Sequence, residues 1–393
     1  MPPLVSLSTL ESGSPVPATV TVETIGDLDA FRDLREEWTH LLAASCADHL
    51  FLSWEWLYTW WTHLAGNRRL FLLAVRRDGE LIGLAPLAVT PGRRISLAPL
   101  SSLAFLGTGS VGSDYLDLIA ARGRESEVLD ALASRAGGQR LALILNQVAR
   151  PSSAAALTER LARRGWRWTE RPKDVCPFIP LDGTTWASYL SGLSGHHRSN
   201  FRRRLANLER AFDVRFERAD SEAAREAALE TLLELHRRRW DGRGGSTAFH
   251  SEALRNFHRA WTRVALARGW LRLFAMRLDG RPVGALYGFR YRETFGFYQI
   301  GFDPGYARHG IGQVMVGLAI KSAIEEGARE FDFLHGDERY KFDWARQVRE
   351  LSRIEAYPPS GRGRIHGGLA ALDRRARRAA RRALDAIARR PGR

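Results

Sequence analysis

The residues best suited to acid–base chemistry lie near the end of the chain, in HGDERYKFDW at 335–344. A carboxylate of Asp337 or Glu338 could accept a proton, and Tyr340 or Lys341 could donate one. The segment follows a short strand-like run, and a predicted turn at its Gly-Asp pair places these four side chains at the mouth of a cleft. A solvated, charged loop is the alternative interpretation, since charged side chains mostly face water.

A second candidate site is a glycine loop in FGFYQIGFDPGYARHGIGQ at 295–313. An alternating, aromatic strand breaks at its Asp-Pro-Gly, and Gly310 and Gly312 stand directly before a helical stretch. Unpaired N–H groups and the helix dipole at such a helix start can hold a phosphate group. Glycines in this position can also simply make the turn, so the loop alone leaves both interpretations open.

Length and composition predict a globular protein of two domains. The chain has 393 residues, of which 45% are hydrophobic and twelve are Trp, enough for two cores of ordinary size. Cys46 and Cys176 are the only cysteines, and no Cys/His cluster has metal-ligand spacing. We therefore expect no disulfide, no metal and a reducing, cytoplasmic environment. No apolar run approaches the ~20 residues of a membrane span, which predicts a soluble or peripheral protein.

The net charge of +15 is concentrated at the C-terminus. Residues 361–393 hold eleven Arg against two Asp, which puts +9 in this tail and +6 in the rest of the chain. Six apolar positions of the tail recur at helical spacing: Leu369, Leu372, Ala376, Ala380, Leu384 and Ile387. The tail is predicted to form a basic amphipathic helix that binds an anionic membrane surface or an acidic partner, with a solvated terminal helix as the alternative.

A hairpin that occurs twice indicates an internal duplication. Asp78, Gly79 and Gly83 of RLFLLAVRRDGELIG match three residues of RLFAMRLDGRPVG at a constant offset of 201 residues: Asp279, Gly280 and Gly284. In the first half the hairpin is followed by the predicted strand SDYLDLIA, a helix near 124–136 and the strand LALIL. In the second half it is followed by FGFYQIGF, a helix near 311–326 and EFDFL. The halves are therefore interpreted as two copies of one α/β unit.

Composition sets the predicted boundaries of these units. Residues 1–19 are rich in Ser and Pro and are predicted to be disordered. The prolines of RPKDVCPFIPLDG break the periodicity near 170–185, which divides a first domain, 20–175, from a second, 176–360. The basic tail, 361–393, follows the second domain.

Helices, a hairpin, a strand, a glycine loop, a helix and a closing strand follow one another in the order of an acyl-CoA-binding N-acetyltransferase (GNAT) fold. FLSWEWLYTWW, DGELIGLAPL and SDYLDL in the first half, and LHRRRW, GFDPGYARHGIG and FDFLHGDERYKFDW in the second, resemble the GNAT-related acetyltransferases associated with bacterial cellulose and exopolysaccharide biosynthesis. The resemblance covers roughly residues 25 to 355, and the duplicated arrangement is similar to that of the peptidoglycan Fem transferases. It implies an α/β (α+β) fold of two tandem GNAT-like domains with mixed central sheets flanked by helices. The basic C-terminal helix predicted from the tail follows these domains.

The resemblance also implies a binding site for acetyl-CoA in the second half. The strand Phe295–Phe302, with Tyr298 and Ile300, would pair with the pantetheine arm. Four residues would bind the pyrophosphate through main-chain N–H groups: Gly310, Ile311, Gly312 and Gln313. One position departs from the usual signature, Gln/Arg-x-x-Gly-x-Gly/Ala, because Ala307 stands where Gln or Arg is expected. A drifted site, or one for another acyl carrier, is the alternative.

The first half lacks a Gly-x-Gly before its helix, so we expect it to line an acceptor cleft between the halves. Asp114 and Tyr115 of SDYLDL are its candidate contributors, and a turn cap is the alternative role of Asp114. On the helix predicted over 196–210, the arginines from Arg198 to Arg204 could follow a phosphate backbone or an anionic sugar polymer, or form a solvated face.

The expected activity is transfer of an acyl group, most simply acetyl, to an amine or hydroxyl of a sugar or cell-envelope precursor by direct attack. Asp337 or Glu338 would be the base, Tyr340 the acid, and Lys341 an electrostatic group for the carbonyl or an acceptor anion. Two alternatives stay open: Fem-like transfer of an aminoacyl group from tRNA, which is the one reading with a nucleic-acid partner, and a non-catalytic scaffold of a polysaccharide-synthesis complex. We expect a cytoplasmic protein, peripheral at the inner membrane face if the tail binds lipid.

Overall fold

A computed structural model of the chain describes residues 18–92, 101–137, 140–240, 249–361 and 363–372. The predicted disorder of residues 1–19 therefore falls almost entirely outside the described residues. In the described part, no helix is long and apolar enough to cross a membrane.

The strands of the described chain belong to one sheet and are, in order, β1 (Val20–Ile25), β2 (Arg69–Arg77), β3 (Glu80–Thr90), β4 (Ser102–Phe105), β5 (Ile119–Ala120), β6 (Ala142–Val148), β7 (Arg167–Pro180), β8 (Val214–Arg218), β9 (Leu271–Leu278), β10 (Arg281–Tyr291), β11 (Thr294–Phe302), β12 (Glu330–Asp332) and β13 (Gln347–Tyr357). The helices flanking the sheet are α1 (Leu28–Asp33), α2 (Arg35–Ala43), α3 (Trp54–Leu64), α4 (Glu125–Gly137), α5 (Ser153–Arg163), α6 (Trp186–Gly192), α7 (Gly195–Ala211), α8 (Glu222–Trp240), α9 (Glu252–Ala267), α10 (Ile311–Glu325) and α11 (Arg339–Trp344).

The sheet is mixed and nearly symmetric about its centre. Its strand order is β1-β2-β3-β4-β6-β13-β7-β12-β11-β10-β9-β8, with β5 paired to β3 outside this path. Only the β4–β6 and β11–β12 pairs are parallel, and each occupies the same place in its half. The predicted fold class, an α/β arrangement of two similar units around mixed β-structure, is confirmed, but the two sheets are joined into one.

The joint consists of exchanged strands. β7, the last strand of the first half, pairs with β12 and β13 of the second half, and β13 pairs with β6 and β7 of the first. The predicted break at RPKDVCPFIPLDG is therefore wrong, because β7 runs through it. Pro172 is accommodated where the register between β7 and β13 shifts, since a bulge needs no ladder donor there. The predicted boundary at 175/176 falls inside β7.

The two hairpins have matching geometry. Asp78-Gly79 and Asp279-Gly280 have φ angles of 50° and 90°, and of 49° and 76°, as a two-residue turn between twisted strands requires. The side chain of Asp78 accepts a 2.9 Å hydrogen bond from Thr19 N–H, and that of Asp279 accepts one of 2.8 Å from Asp213 N–H. Each hairpin thus binds the residue directly before the first strand of its own half, β1 or β8. These shared contacts support the predicted duplication.

The aromatic segment of the first half joins the two cores. Helical spacing predicts one buried face for four residues: Phe51, Trp54, Leu57 and Trp61. The first three are buried and Trp61 is partly buried. Trp56 of α3 packs edge-on against Trp261 and Phe257 of α9, at 4.8 and 5.1 Å between ring centroids. Helix α3 of the first half therefore packs directly on α9 of the second.

Two local predictions need correction or refinement. The strand predicted for SDYLDLIA is wrong apart from β5, because residues 113–118 lie in a loop and Tyr115 has a φ of 56°. In GDERYK, a loop leads into α11, so Tyr340 and Lys341 lie on a helix rather than in a turn.

The basic tail is described only at its start. Residues 363–372 are helical, and the side chain of Leu372 is 53% exposed. The remaining positions of the predicted apolar stripe lie outside the described residues: Ala376, Ala380, Leu384 and Ile387.

Candidate active site

A cavity of about 580 Å³ lies between α7, α11, the end of β11 and the start of α10. Its size is that of a small-molecule site. Five of the predicted cofactor-binding residues line it: Ile300, Gly310, Ile311, Gly312 and Gln313. The structure therefore brings the glycine loop and the end of the predicted cofactor strand to one cavity.

The cavity reaches the N-terminus of α10. Gly310 is the N-cap of this helix and has a left-handed backbone, with φ of 68°, and no side chain caps the helix. The first N–H groups of an α-helix have no partner within it, and the helix dipole adds partial positive charge at the same place. Anions are favoured at such a terminus.

Arg204 of α7 lies directly against Gly310. A methyl group added at Gly310 would stand 1.7 Å from Nη1 of Arg204 and 2.6 Å from its Cδ. Nε of Arg204 donates to the amide oxygen of Asn200 at 3.1 Å, and among the described residues Arg204 has no carboxylate partner. The backbone angle favours glycine at 310, and a side chain there would displace this guanidinium.

The other glycines of this region serve packing. A methyl group at Gly312 would lie 2.9 Å from the Phe302 ring, and one at Gly317 would lie 2.2 Å from the Phe201 ring. Such distances leave no space for a side chain. Packing therefore explains why these two positions are glycine, while the start of α10 lines the cavity.

A chain of amide groups connects Arg204 to a histidine at the cavity wall. Asn200 Nδ2 donates to Gln313 Oε1 at 3.2 Å, and Gln313 Nε2 lies 3.3 Å from Nδ1 of His197. If the amide donates, Nδ1 is the acceptor and the proton of the neutral ring is on Nε2. Nε2 has no hydrogen-bond partner among the residues that the structure describes, and burial lowers the pKa of His197.

The strand β11 has a free edge beside the cavity. It pairs with β12 only from Thr294 to Gly296, so β11 and β12 separate beyond that point. Ile300 N–H donates a 3.0 Å hydrogen bond to Oε1 of its neighbour Gln299. Tyr298 does not line the cavity: its hydroxyl donates to the backbone oxygen of Val111 in the first half.

The GDERYK residues divide between surface, core and cavity. Tyr340 lines the cavity, whereas Asp337 is exposed. Lys341 is 3% exposed, and its Nζ donates to the backbone oxygen of His335 at 2.8 Å and pairs with Glu338 at 2.9 Å. Burial raises the pKa of Glu338, but the charge and the hydrogen bond of Lys341, together with smaller effects of a backbone hydrogen bond and His335, leave the pKa lowered.

The first-half candidates meet this segment at the seam between the halves. Asp114 is fully buried and accepts hydrogen bonds of 2.9 Å from His335 N–H and from Gln147 Nε2. Its carboxylate oxygens lie 2.8 and 3.0 Å from Nδ1 of His335. The Tyr115 hydroxyl donates to Asp332 at 2.6 Å. The sequence patterns do not single out His335 or Asp332, although His335 is the first residue of HGDERYKFDW.

A second cavity, of about 380 Å³, lies at the opposite end of β11 and β12. Its wall includes Tyr115, Asp117, Asp332 and Arg349, from both halves. Burial raises the pKa of Asp117 to about 6, although three backbone N–H groups donate to it. Tyr115 therefore lines a cleft between the halves, while Asp114 points its carboxylate to His335. Within the described residues, no group of three or more His, Cys, Asp or Glu is arranged to hold a metal ion.

Comparison with known proteins defines the class of this fold. Residues 195–342 match the family model of the acetyltransferase (GNAT) domain. Among solved structures, FemX is similar with a TM-score of 0.59 and 15% identity, over 81% of this chain and 95% of that chain. A conserved protein of unknown function from Bacteroides thetaiotaomicron VPI-5482 is similar with a TM-score of 0.54 and 13% identity, over 86% of this chain and 99% of that one. No curated protein sequence is significantly similar. Residues 195–342 are therefore similar to a GNAT domain, and the chain as a whole shares its fold with FemX.

Proposed function

We propose that the protein is an acyltransferase that binds acyl-CoA, most simply acetyl-CoA, in the cavity at the start of α10. The observation that carries this proposal is the guanidinium of Arg204 against Gly310. The GNAT signature places Gln or Arg where this chain has Ala307, and Arg204 supplies the missing positive charge from a different helix. Ile311, Gly312 and Gln313 would donate their N–H groups to the same phosphates.

The electrostatics of this site favour a phosphate. A guanidinium that is not already neutralised by a carboxylate makes strong, charge-assisted hydrogen bonds to phosphate oxygens. The partial charge of the α10 terminus has the same sign. Because Asn200 holds Nε of Arg204, the terminal nitrogens are already positioned for a ligand, which reduces the entropy lost on binding.

The free edge of β11 fits the arm of such a carrier. An extended chain can add to an unpaired strand edge through main-chain hydrogen bonds, and Ile300 N–H becomes available once Gln299 releases it. The acceptor nitrogen or oxygen then attacks the thioester carbon, the carbon–sulfur bond breaks, and the leaving thiolate takes up a proton. Tyr340 lines this cavity and is our candidate for the proton donor.

The proposed acceptor is an amine or hydroxyl of a sugar or cell-envelope precursor, as in the acetyltransferases of polysaccharide biosynthesis that the sequence resembles. A second candidate function is Fem-like transfer from aminoacyl-tRNA. The observation that favours it is a pair of exposed arginines, Arg202 and Arg203, beside Arg204 on α7, since a polyanion would contact all three. The likeness to FemX concerns the fold alone.

Calorimetric titration of the full-length protein with acetyl-CoA, CoA and aminoacylated tRNA tests the proposal. We expect acetyl-CoA and CoA to bind, and Arg204→Met to weaken both by about tenfold or more, as loss of one charged hydrogen bond predicts. Arg202→Met is the matched control and should leave CoA binding unchanged. Binding of tRNA alone, weakened by Arg202→Met, would favour the second function. Binding of none of the three would favour a scaffold without catalytic activity.

A further inference from the structure

An Asp–His pair joins the two halves beside the proposed cofactor strand. Asp114 comes from the first-half loop and His335 from the loop that follows β12. The carboxylate contacts the ring Nδ1 of His335 and accepts a hydrogen bond from its backbone N–H. These two contacts fix the position and orientation of the imidazole. The His335 side chain is 38% exposed, and its Nε2 makes no hydrogen bond to any described residue.

The backbone on both sides of the pair is strained. Tyr115 and Leu334 are bulky residues with φ angles of 56° and 54°, a conformation that costs L residues roughly 1–2 kcal/mol each. One carboxylate holds both: Asp332 accepts from the Tyr115 hydroxyl at 2.6 Å and from Leu334 N–H at 2.7 Å. Strained residues that their surroundings fix in this way cluster at active sites.

The pair is connected to the proposed cofactor cavity through α11 and the end of β12. β11 and β12 separate after Gly296 and Asp332, and His335 follows shortly after that point of separation. The backbone oxygen of His335 is tied to Nζ of Lys341, and the preceding residue of α11, Tyr340, lines the cavity.

We propose that His335 is the general base of the acyl transfer and that Asp114 is its positioning residue. Nε2 of His335 takes the proton of the attacking amine or hydroxyl as the new nitrogen–carbon or oxygen–carbon bond forms. The carbon–sulfur bond breaks, and the thiolate receives a proton, which restores the charge balance once the imidazolium has released its own. This inference rests on the proposed function, and it assigns the acceptor to the seam between the halves.

The charges around His335 come from four elements. Asp114 lies in the first-half loop, Asp174 on β7, Glu338 in the loop that contains His335, and Lys341 on α11. Burial lowers the pKa of His335, but the charge and hydrogen bond of Asp114 outweigh it, so the pKa is raised. A base of this kind is active when deprotonated, so the rate should rise with pH through the pKa of His335.

Nitrogen-15 NMR of the histidine rings tests the pair without any acceptor. The ring signals of His335 are assigned as those that disappear in His335→Gln. We expect neutral His335 to carry its proton on Nδ1, with Nε2 unprotonated, and Asp114→Asn to lower the pKa of the ring. A neutral ring protonated on Nε2, or a pKa that Asp114→Asn leaves unchanged, would overturn the proposal.

Release of thiol from acetyl-CoA, with glucosamine and with water as probe acceptors, tests the reaction. We expect His335→Gln to lower kcat by about 100-fold or more, as loss of a general base predicts, while CoA affinity is retained. Asp114→Asn should lower the rate and move the acidic limb of its pH profile to lower pH. His40→Gln, an exposed histidine on α2, is the control. Normal turnover and pH profile in His335→Gln would overturn the pair as the base and leave the proposed function standing, whereas wild-type protein that fails to bind CoA would overturn that function. If no probe acceptor releases thiol, the NMR result decides.

Discussion

Tyr115 and Asp332 are separated by 217 residues in the chain, and their side chains form a 2.6 Å hydrogen bond. Asp332 is 1% exposed and also caps the strained turn at Leu334. One buried carboxylate thus fixes a first-half loop and a second-half loop relative to each other. The pair of side chains is a part of the interface whose energetics can be tested separately from catalysis.

The first prediction concerns the pH dependence of stability. Burial raises the pKa of Asp332 from its ordinary 3.8 to about 7. Between these values the native state binds more protons than the unfolded chain, so stability falls as pH rises. From about pH 5 to about pH 8, wild type should therefore lose on the order of 2 kcal/mol relative to Asp332→Asn. Asp117 titrates in both proteins, so its contribution to the difference in stability between them cancels. Urea unfolding across this range is the measurement, and parallel curves for the two proteins would contradict the prediction.

The second prediction separates backbone strain at Gly310 from its contact with Arg204. Gly310→Ala and Gly183→Ala both place a methyl group on a backbone with positive φ, at 68° and 64°, and each should cost about 1–2 kcal/mol of stability. Only Gly310→Ala should also weaken CoA binding, because its methyl group displaces the guanidinium, whereas nothing lies within 4 Å of such a group at Gly183. Thermal unfolding and calorimetry on both variants check this. Equal CoA affinity in the two would remove Arg204 from the site.

The third prediction concerns Lys341, whose buried Nζ holds the loop of His335. Lys341→Met should leave backbone oxygens without a donor and lower stability by about 2–3 kcal/mol, in addition to any loss of turnover. Glu338→Gln should cost less stability than Lys341→Met, because the amide oxygen of the introduced glutamine can still accept a hydrogen bond from Nζ and the position is 56% exposed. Lys321→Met, at an exposed helical pair, is the control. An unchanged melting temperature in Lys341→Met, with turnover lost, would instead support a direct electrostatic role.

The last prediction concerns the basic tail. Its first part should be kept in any truncation, because His366 contacts Tyr357 at 5.4 Å between ring centroids. Removing residues 373–393 deletes nine Arg, and it should abolish binding to phosphatidylglycerol vesicles while acyl transfer survives. In the intact protein, added salt should weaken binding, since ~1 kcal/mol per Arg near the surface is screened within a Debye length. Co-sedimentation measures both, and equal sedimentation of the two proteins would leave the tail without a membrane role.

Local patterns predict much of this structure. The alternation of β11, the start of α10 after Gly310 and both hairpin turns are confirmed because each depends on neighbouring residues. The contact of Arg204 with Gly310 was missed because it joins α7 to α10. The alternation of SDYLDLIA predicts a strand at Asp114. It gives no sign of the partner His335, which lies 221 residues away. No periodicity indicates such long-range partners.

The exchange of β7 and β13 has a consequence for synthesis on the ribosome. β6 and β7 are both made early, but β13, the strand that separates them, is at Gln347–Tyr357. The first half therefore cannot complete its sheet when its own residues have emerged, and its strand edges stay unpaired until almost the whole chain is released. Multidomain chains commonly fold unit by unit from the N-terminus. Here the two units must finish together, and a nascent chain that stalls before β13 exposes strand edges at which aggregation begins.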